Sequence, residues 1–182
     1  MADRNGVFMS NKQHIDHSID AFNNNTAGET AKWQISNKNF TEGEKVQVYS
    51  VRLPNFSSGV TFSTNGELTS NGTISVSEVV VEIRNNSSSV LSLYGLTQGQ
   101  PLDTITIERL ANIGKTMVVL QTFTFNTCYL TKWAQEDDSV WISFSFEKIS
   151  NTRITYGHDG NKIGNTATTY NVSTLESTQS AG

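Results

Sequence analysis

Residues 102–149 read LDTITIERLANIGKTMVVLQTFTFNTCYLTKWAQEDDSVWISFSFEKI, and three β-strands are predicted within them. The predicted strands cover residues 103–110, 117–130 and 140–148. In the last strand Val140, Ile142, Phe144 and Phe146 alternate with Trp141, Ser143, Ser145 and Glu147. A period of two is typical of a half-buried strand, because successive side chains leave a pleated backbone on opposite sides. Gly114 and the polar residues 135–139 supply turns. The three segments are therefore predicted to be neighbours in one antiparallel sheet.

Further strands are predicted before and after these three segments in the sequence. They cover residues 31–40, 45–52, 74–84 and 166–175, and residues 152–156 either continue the strand that contains Val140 or begin a new one. In KVQVYSVR, Val46 and Val48 share one face, and Tyr49 and Val51 take the other. This change of phase indicates a β-bulge or a strand that is covered on both sides.

One helix of about three turns is predicted between residues 86 and 99. The side chains of Asn86, Ser87 and Ser88 can accept hydrogen bonds from the free N–H groups of a first turn. Gly99 stands where a left-handed residue would end the helix. Val90, Leu91 and Tyr94 fall on one helical face, and this apolar face is expected to lie on the sheet.

A long connection, LPNFSSGVTFSTNGELTSNG, occupies residues 53–72. Connections in compact domains have a median of about 4–6 residues, and longer ones are usually functional or disordered. Asn65-Gly66 is a type I′ turn signal, so the segment is predicted to be a hairpin. Two interpretations are open at this point: a hairpin that projects from the domain, or an extra hairpin within the sheet.

The composition indicates one domain in which several strands have one face exposed to solvent. Only 36% of the 182 residues are hydrophobic, with 13 glycines and 2 prolines. A chain of this length buries roughly 70% of its extended surface, so it needs no disulfide or metal to fold. We predict an arm at residues 1–30, a folded domain at 31–175 and a loose tail at 176–182.

Charge and cysteine content exclude several classes of protein. The 13 basic and 17 acidic residues give a net charge of −4, and there is no basic run of the kind that binds nucleic acid. The single cysteine, Cys128, cannot form an intrachain disulfide, which favours a reducing compartment. The start lacks the apolar core of a signal peptide, and no apolar run is long enough to cross a bilayer. We therefore predict assembly in the cytoplasm without membrane insertion.

Few residues are candidates for a catalytic or metal-binding site. The candidates are His14 and His17 with Asp16 and Asp20, His158 with Asp159, Cys128, and the acidic run Glu136, Asp137 and Asp138. The histidine pair lacks further ligands at a recognisable spacing, and the acidic run is more typical of a solvated loop than of a calcium site. Cys128 lies among apolar residues in a strand, as a buried inert thiol does. We predict that the protein is not an enzyme and has no cofactor and no metal.

The ordered series of elements resembles the haemolysin-coregulated protein (Hcp) family, the tube proteins of type VI secretion systems. The resemblance covers roughly residues 45–175. The segments that carry it are SSSVL at 87–91, TQG at 97–99, DTITI at 103–107, YLT at 129–131 and above all ISFSFEKI at 142–149, followed by a glycine turn and a closing strand.

The resemblance implies a mainly β fold: a compact antiparallel β-barrel of two packed sheets, with one short flanking α-helix and a long projecting loop. It also implies homohexameric rings that stack into a tube, carry effectors, work with sheath and spike proteins, and leave the cell without a signal peptide. The long loop would reach a neighbouring ring. The stacking residues expected from it are Asn55, Phe56, Val60, Phe62, Asn65, Gly66 and Glu67.

Two alternatives remain open on the sequence. The first is a tail tube subunit of a phage or another contractile injection particle, which follows the same stacking logic. The second is a carbohydrate-binding β-sandwich, in which Trp33, Trp133 and Trp141 would be exposed platforms for sugar rings.

Overall fold

The computed structural model describes residues 32–62, 65–113, 116–157 and 159–182. In this part of the chain there are ten strands and one helix. Their bounds are β1 Lys32–Asn37, β2 Val46–Arg52, β3 Phe56–Phe62, β4 Leu68–Val76, β5 Val79–Arg84, α1 Ser87–Gln98, β6 Leu102–Ile113, β7 Thr116–Glu136, β8 Ser139–Tyr156, β9 Lys162–Asn171 and β10 Glu176–Ala181. The predicted arm, with His14 and His17, lies outside the described residues.

Six of the strands close into a barrel. Their order is β8, β5, β2, β1, β6 and β7, and β7 pairs again with β8, so that every neighbouring pair is antiparallel. β9 and β10 extend the sheet from β8, and β3 and β4 form a separate two-stranded sheet. The predicted fold class, a compact β-barrel with one helix, is confirmed. The predicted phase change in β2 is a register shift between Val48 and Ser50.

The barrel interior holds one apolar core. The predicted inward row of β8 is buried, as are the residues that face it across the barrel. Core residues include Ile35, Val81, Ile83, Ile105, Ile107, Phe125, Val140, Ile142 and Phe144. On the opposite face of β8, Trp141 and Ser143 are buried too, and only Ser145 and Glu147 are exposed as predicted. In register, Trp141 lies between Glu82 of β5 and Ala134 of β7.

In three adjacent strands of the barrel, the alternation of buried and exposed side chains shifts by one residue at the same level. On each strand two buried apolar residues are three positions apart instead of two or four. The pairs are Leu102 and Ile105 on β6, Phe125 and Cys128 on β7, and Phe146 and Ile149 on β8. In β7 the shift is made at Thr127, which has a φ of 50°. A β-branched residue in this region is strained, so packing on both sides of it must hold it there.

At this level, which we call the corner, β8 changes its neighbouring strand from β5 to β9. Up to Phe144 it pairs with β5, and from Lys148 onward it pairs with β9. The Val172 N–H donates to the Glu147 carbonyl across 2.7 Å at the point of exchange. β7 stays paired with β8 on both sides of the corner. The long β7 and β8 thus belong both to the barrel and to the sheet that leaves it.

Both ends of α1 are capped as the sequence predicts. The Asn86 Oδ1 accepts hydrogen bonds from the N–H groups of Ser88 and Ser89, at 3.0 and 3.3 Å. The Ser89 Oγ in turn accepts from the Asn86 N–H at 3.1 Å, which completes a capping box. At the other end Gly99 has a φ of 61°, and its N–H donates to the Leu96 carbonyl.

The predicted orientation of α1 is wrong for Val90 and Tyr94, which are each 63% exposed, and is correct for Leu91, which packs against the core. The buried residues of the helix are Ser88, Ser89 and Ser92. At Gly95 the helix lies against the barrel, and a Cβ there would make an ordinary van der Waals contact with the Leu130 side chain at 3.4 Å. The wholly buried side chains of the helix are serines, which can be buried because their hydroxyl groups can bond to the helix itself. The Ser92 Oγ, for example, donates to the Ser89 carbonyl at 2.6 Å.

Two further expectations differ from the structure. Residues 74–84 were predicted to be one strand, but Ser77 and Glu78 interrupt it, and β4 and β5 belong to different sheets. The residues expected to be a loose tail form β10, which pairs with β9 from Glu176 to Ala181. A run of small polar residues has a weak strand signal by itself, and here the neighbouring strand supplies the ladder.

We predict that Asn86→Ala lowers the free energy of unfolding by about 1 kcal/mol, because it removes the acceptor of two helix N–H groups. Urea unfolding followed by tryptophan fluorescence measures the change. Ser87→Ala is the matched control, since Ser87 is exposed and does not contribute to the cap. Equal losses in the two variants would contradict the prediction.

Candidate functional site

The two ends of the barrel carry different elements. Because neighbouring strands are antiparallel, β1, β5 and β7 run towards one end, and β2, β6 and β8 run towards the other. α1 follows β5 and precedes β6, so it lies at the first end, which we call the helix end. The β3–β4 hairpin follows β2 and precedes β5, so it lies at the opposite end, which we call the hairpin end.

The β3–β4 hairpin is a two-stranded sheet of its own. Its register runs from Phe56 opposite Val76 to Phe62 opposite Leu68, with an irregularity between Ser58 and Val60. At its base the Asn55 N–H donates to the Ser77 Oγ at 2.8 Å, and the Ser77 N–H donates to the Asn55 carbonyl at 3.0 Å. The interpretation of a hairpin outside the barrel sheet is therefore correct, and that of an extra hairpin within it is wrong.

One aromatic contact holds the hairpin against the sheet that leaves the barrel. The Phe56 ring meets Tyr170 of β9 edge to face, with centroids 5.5 Å apart. Beneath the hairpin is a cavity of about 550 Å³, lined by Leu53, Phe123 and Ile149 among others. The Tyr170 hydroxyl is buried there and has no hydrogen-bond partner in the described part of the chain. The hairpin thus covers the barrel at this end without filling all the space beneath it.

Most of the predicted stacking residues are exposed on this hairpin. Phe56 is 46% exposed and Val60 is 53% exposed. Asn55, Asn65, Gly66 and Glu67 are exposed too, and Phe62 is the last residue of β3. Gly66 has a φ of 78°, as the predicted turn requires. Their role in stacking stays a prediction.

A second surface, at the helix end, was not found from the sequence. It is a groove of about 690 Å³ beside the C-terminal half of α1. Its apolar wall is formed by Leu91, Tyr94, Gly95, Pro101 and Leu102, and its charged residues are Lys38 and Asp103. The sequence did contain a signal for it: α1 has serines at positions 88, 89 and 92, a spacing that places them together on one helical face.

The edge of the extended sheet is a third candidate surface. Asn165 and Gly182 exchange both backbone hydrogen bonds, so they form a hydrogen-bonded pair of the β9–β10 ladder. Such pairs alternate with pairs that are not bonded to each other. Counting back, the N–H and C=O groups of Ser177, Gln179 and Ala181 point away from β9. No strand pairs with that side of β10 among the described residues.

Solved structures with this arrangement are found by comparison of folds. The protein "Hcp1 from Salmonella typhimurium" superimposes with a TM-score of 0.61 at 10% identity, over 81% of this chain and 99% of the other. "A type six secretion system protein" superimposes with a TM-score of 0.62 at 15% identity, over 81% of this chain and 99% of the other. "A type VI secretion system effector from Yersinia pestis" superimposes with a TM-score of 0.52 at 14% identity, over 77% of this chain and 99% of the other. No protein-family model and no curated protein matches the sequence.

The chain has the Hcp fold. At such low identity the likeness concerns the course of the backbone. It confirms the resemblance drawn from the ISFSFEKI segment and its neighbours, because those residues lie in the strands that build the barrel.

In this Hcp fold the tryptophans are not arranged as sugar platforms. Trp141 is buried, the Trp133 Nε1 donates to the Ser89 carbonyl at 3.1 Å, and Trp33 lies against the Phe123 ring with centroids 6.4 Å apart. A carbohydrate-binding surface needs aromatic faces that are open to solvent. The carbohydrate-binding alternative therefore loses the residues on which it depended.

The other residues that the sequence offered as a reactive or metal-binding site lie in different turns. Asp137 and Asp138 form the exposed turn between β7 and β8. The Asp159 carboxylate accepts hydrogen bonds from the Asn161 side chain and backbone, which lower its pKa, and His158 lies outside the described residues. No group of three or more metal-ligating side chains occurs in the part of the chain that the structure describes. No helix among these residues is long and apolar enough to span a membrane.

Cys128 is an interior residue of β7, as predicted. It is wholly buried, and this burial raises the pKa of its thiol to about 12, against which a backbone hydrogen bond acts weakly. A thiol reacts as the thiolate, so a raised pKa and the lack of access make Cys128 unreactive in the folded protein. The thiol should therefore react only after unfolding.

We predict that Cys128 makes the fold sensitive to alkali. Its pKa is higher in the folded chain than the ordinary 9.0, so the protonated thiol's contribution is present below pH 9.0 and is lost as the pH rises towards about 12. Between pH 9 and about 10.5, the wild-type protein should lose roughly 1–2 kcal/mol of unfolding free energy more than Cys128→Ala does. Urea unfolding at a series of pH values measures both slopes. Parallel slopes would contradict the prediction.

Proposed function

We propose that this protein is the structural subunit of a type VI secretion tube, in which six copies form a ring and the rings stack. The observation that supports the proposal is the fold: structures described as Hcp1 and as a type six secretion system protein match this chain over 99% of their own length. The chain acts in this proposal by joining copies of itself, without catalysis.

The ring-forming contact in this proposal uses the free edge of β10. Ser177, Gln179 and Ala181 offer outward N–H and C=O groups, which another strand can complete by backbone pairing. Exposed edges are commonly protected by lysine, proline or a bulge, and the sequence of β10, ESTQSA, contains neither lysine nor proline. A ring of six closes only if the β10 edge of each copy pairs with a different edge of the next copy, and residues 129–136 of β7, which pair with β8 and not with β6, are such an edge.

The stacking contact in this proposal uses the β3–β4 hairpin. Phe56 and Val60 expose apolar surface at the hairpin end, and the turn residues Asn65, Gly66 and Glu67 are exposed too. Apolar side chains on a projecting element favour burial against another molecule. Phe62 and Asn55 complete the proposed contact at the end of β3 and at the base of the hairpin.

The remaining parts of the proposal concern the machine around the tube. The ring lumen would carry effectors, a sheath would surround the tube, and a spike would cap it. The subunit would assemble in the cytoplasm and leave the cell as part of the tube, which requires no signal peptide on the subunit. These partners are proteins, and neither nucleic acid nor membrane insertion enters the proposal.

We predict that the purified protein forms closed rings and that Gln179→Pro prevents it. Proline removes an N–H that points away from β9, so it blocks pairing with a second copy and leaves the β9–β10 ladder intact. Size-exclusion chromatography and negative-stain microscopy measure ring formation. Gln179→Ala is the matched control and should form rings. A wild-type protein that stays monomeric at high concentration would rule out the tube function, and rings of Gln179→Pro would rule out this edge.

We also predict that the hairpin can be removed without loss of the fold. Asn55 and Ser77 are hydrogen-bonded neighbours at its base, so joining them through two glycines in place of residues 56–76 closes the chain. The variant should unfold cooperatively and form rings, but these should not stack. Circular dichroism on heating and negative-stain microscopy measure the two properties. Loss of cooperative unfolding would show that the hairpin belongs to the core instead.

A further inference from the structure

The cavity beneath the β3–β4 hairpin has the size and the lining of a small-molecule site. Its volume of about 550 Å³ lies within the range of roughly 300–1,000 Å³ that is typical of ligand pockets. Phe123 and Ile149 line it from the barrel, and Phe56 and Ile74 line it from the hairpin. The polar residues of its lining carry no charge. Such a space accepts the apolar body of a ligand.

Two buried hydrogen-bond donors at this cavity have no partner among the residues that the structure describes. One is the hydroxyl of Tyr170, a lining residue. The other is the Trp33 Nε1, whose ring lies against the lining residue Phe123 with centroids 6.4 Å apart. Buried polar groups are almost always hydrogen-bonded, because a buried donor without an acceptor costs free energy. An acceptor oxygen on a ligand is the kind of atom that both groups can bind.

Two arginines lie next to the cavity on the same face of the sheet. Arg109 of β6 and Arg153 of β8 are both in register with Gln121 of β7, which lies between them. Gln121 comes two residues before Phe123, and Arg153 comes two residues after Asn151, so these side chains share the inner face with the cavity lining. Strands two places apart in a sheet are separated by about 10 Å. Side chains as long as arginine can reach one anion across that distance.

The surroundings of Arg109 disfavour its positive charge. Its side chain is buried, and this burial together with the nearby Arg153 lowers the pKa of its guanidinium. The register row that contains both arginines continues through Thr166 of β9 to Ala181 of β10 and holds no acidic residue. An anion between the two guanidinium groups would reduce their repulsion, and a carboxylate matches the paired N–H groups of arginine.

We propose that this cavity binds a small organic carboxylate with an apolar body. The apolar body lies on Phe123 beneath the hairpin, and the carboxylate lies near Asn151, between the Tyr170 hydroxyl and Arg153. The Asn151 Oδ1 accepts a hydrogen bond from the Gln121 Nε2 at 2.8 Å, so the other end of this amide is a donor, as a carboxylate requires. The inference goes beyond the proposed function and does not depend on it, because all of these residues belong to one copy of the chain.

The first test compares a carboxylate with its neutral amide. The probes are 2-naphthoate and 2-naphthamide, which have nearly the same shape and differ in charge. Isothermal titration calorimetry with the full chain measures both dissociation constants. The wild-type protein should bind 2-naphthoate about tenfold more tightly, because hydrogen bonds to a charged acceptor are stronger than those to a neutral one. No saturable binding of 2-naphthoate, or equal affinity for the two probes, would overturn the inference.

The second test removes one cation from each face of β8. Arg153→Gln should weaken the binding of 2-naphthoate about tenfold and leave that of 2-naphthamide unchanged, because only the carboxylate needs the charge. Lys148→Gln is the matched control, since Lys148 is exposed, precedes the buried Ile149 and so lies on the opposite face of the strand. It should bind 2-naphthoate as the wild-type protein does. Equal effects of the two substitutions would show that net charge, and not this site, attracts the probe.

The third test concerns the hydroxyl of Tyr170. Tyr170→Phe keeps the ring that meets Phe56 and removes only the hydroxyl, so the free energy of unfolding should not fall. The affinity for both probes should fall about fivefold, because each offers an oxygen that accepts from this hydroxyl. A loss of stability without a loss of affinity would show that the hydroxyl has a structural role instead.

The fourth test locates the binding site. Ile74→Trp fills the cavity from the hairpin and should abolish the binding of 2-naphthoate. Val60→Trp is the matched control, because Val60 is exposed on the same hairpin and does not line the cavity. Equal binding by both variants would place the site elsewhere and overturn the inference. Ring formation enters none of these measurements, so a failure of the proposed tube function would leave the inference standing.

Discussion

The constraint on which this structure depends is the closure of the barrel by β7 and β8. These strands pair from Glu136 opposite Ser139 to Gln121 opposite Arg153, and this ladder joins the last strand of the sheet to the first. Closure gives each barrel strand two neighbours, although residues 129–136 of β7 pair with β8 and not with β6. The candidate association surfaces lie mainly outside the barrel. They are the β3–β4 hairpin, the β10 edge and the helix at one end.

The corner at the middle of β6, β7 and β8 decides how these outer elements are placed. β8 has to pair with β5 within the barrel and with β9 outside it, and it changes from one to the other between Phe144 and Lys148. The apolar residues on either side of the corner keep facing the core only because each strand shifts its phase there. The strained backbone of Thr127 is one cost of that shift. The extended sheet that carries the β10 edge therefore exists because three strands bend at one level.

The sequence predicts local features well and long-range ones poorly. A period of two identified β8, and the capping residues Asn86 and Gly99 identified the ends of α1, because each signal depends on neighbours in the chain. The predicted strands were too short, and in β8 the prediction ended at the corner, where the three-residue spacing from Phe146 to Ile149 breaks the period of two. The orientation of α1 was wrong for Val90 and Tyr94, because the apolar spacing within a helix does not show which side meets the barrel, and here the serine side does. The hairpin turn was found from Asn65-Gly66, but the groove was not, as its wall combines the β1–β2 turn, α1 and β6.

The different chemistry of the two barrel ends has a consequence for assembly. Had both ends carried the same apolar surface, copies would associate face to face in closed pairs, and growth would stop at two. Here one end projects a hairpin with Val60 exposed, and the other presents a groove beside Tyr94. A contact between unlike ends gives every added copy the same direction as the one before it. The chain shares the Hcp fold with secretion system proteins at 10–15% identity, so this likeness concerns the course of the backbone. In the proposed tube, the polarity of assembly would therefore follow from which elements the closed barrel leaves at its two ends.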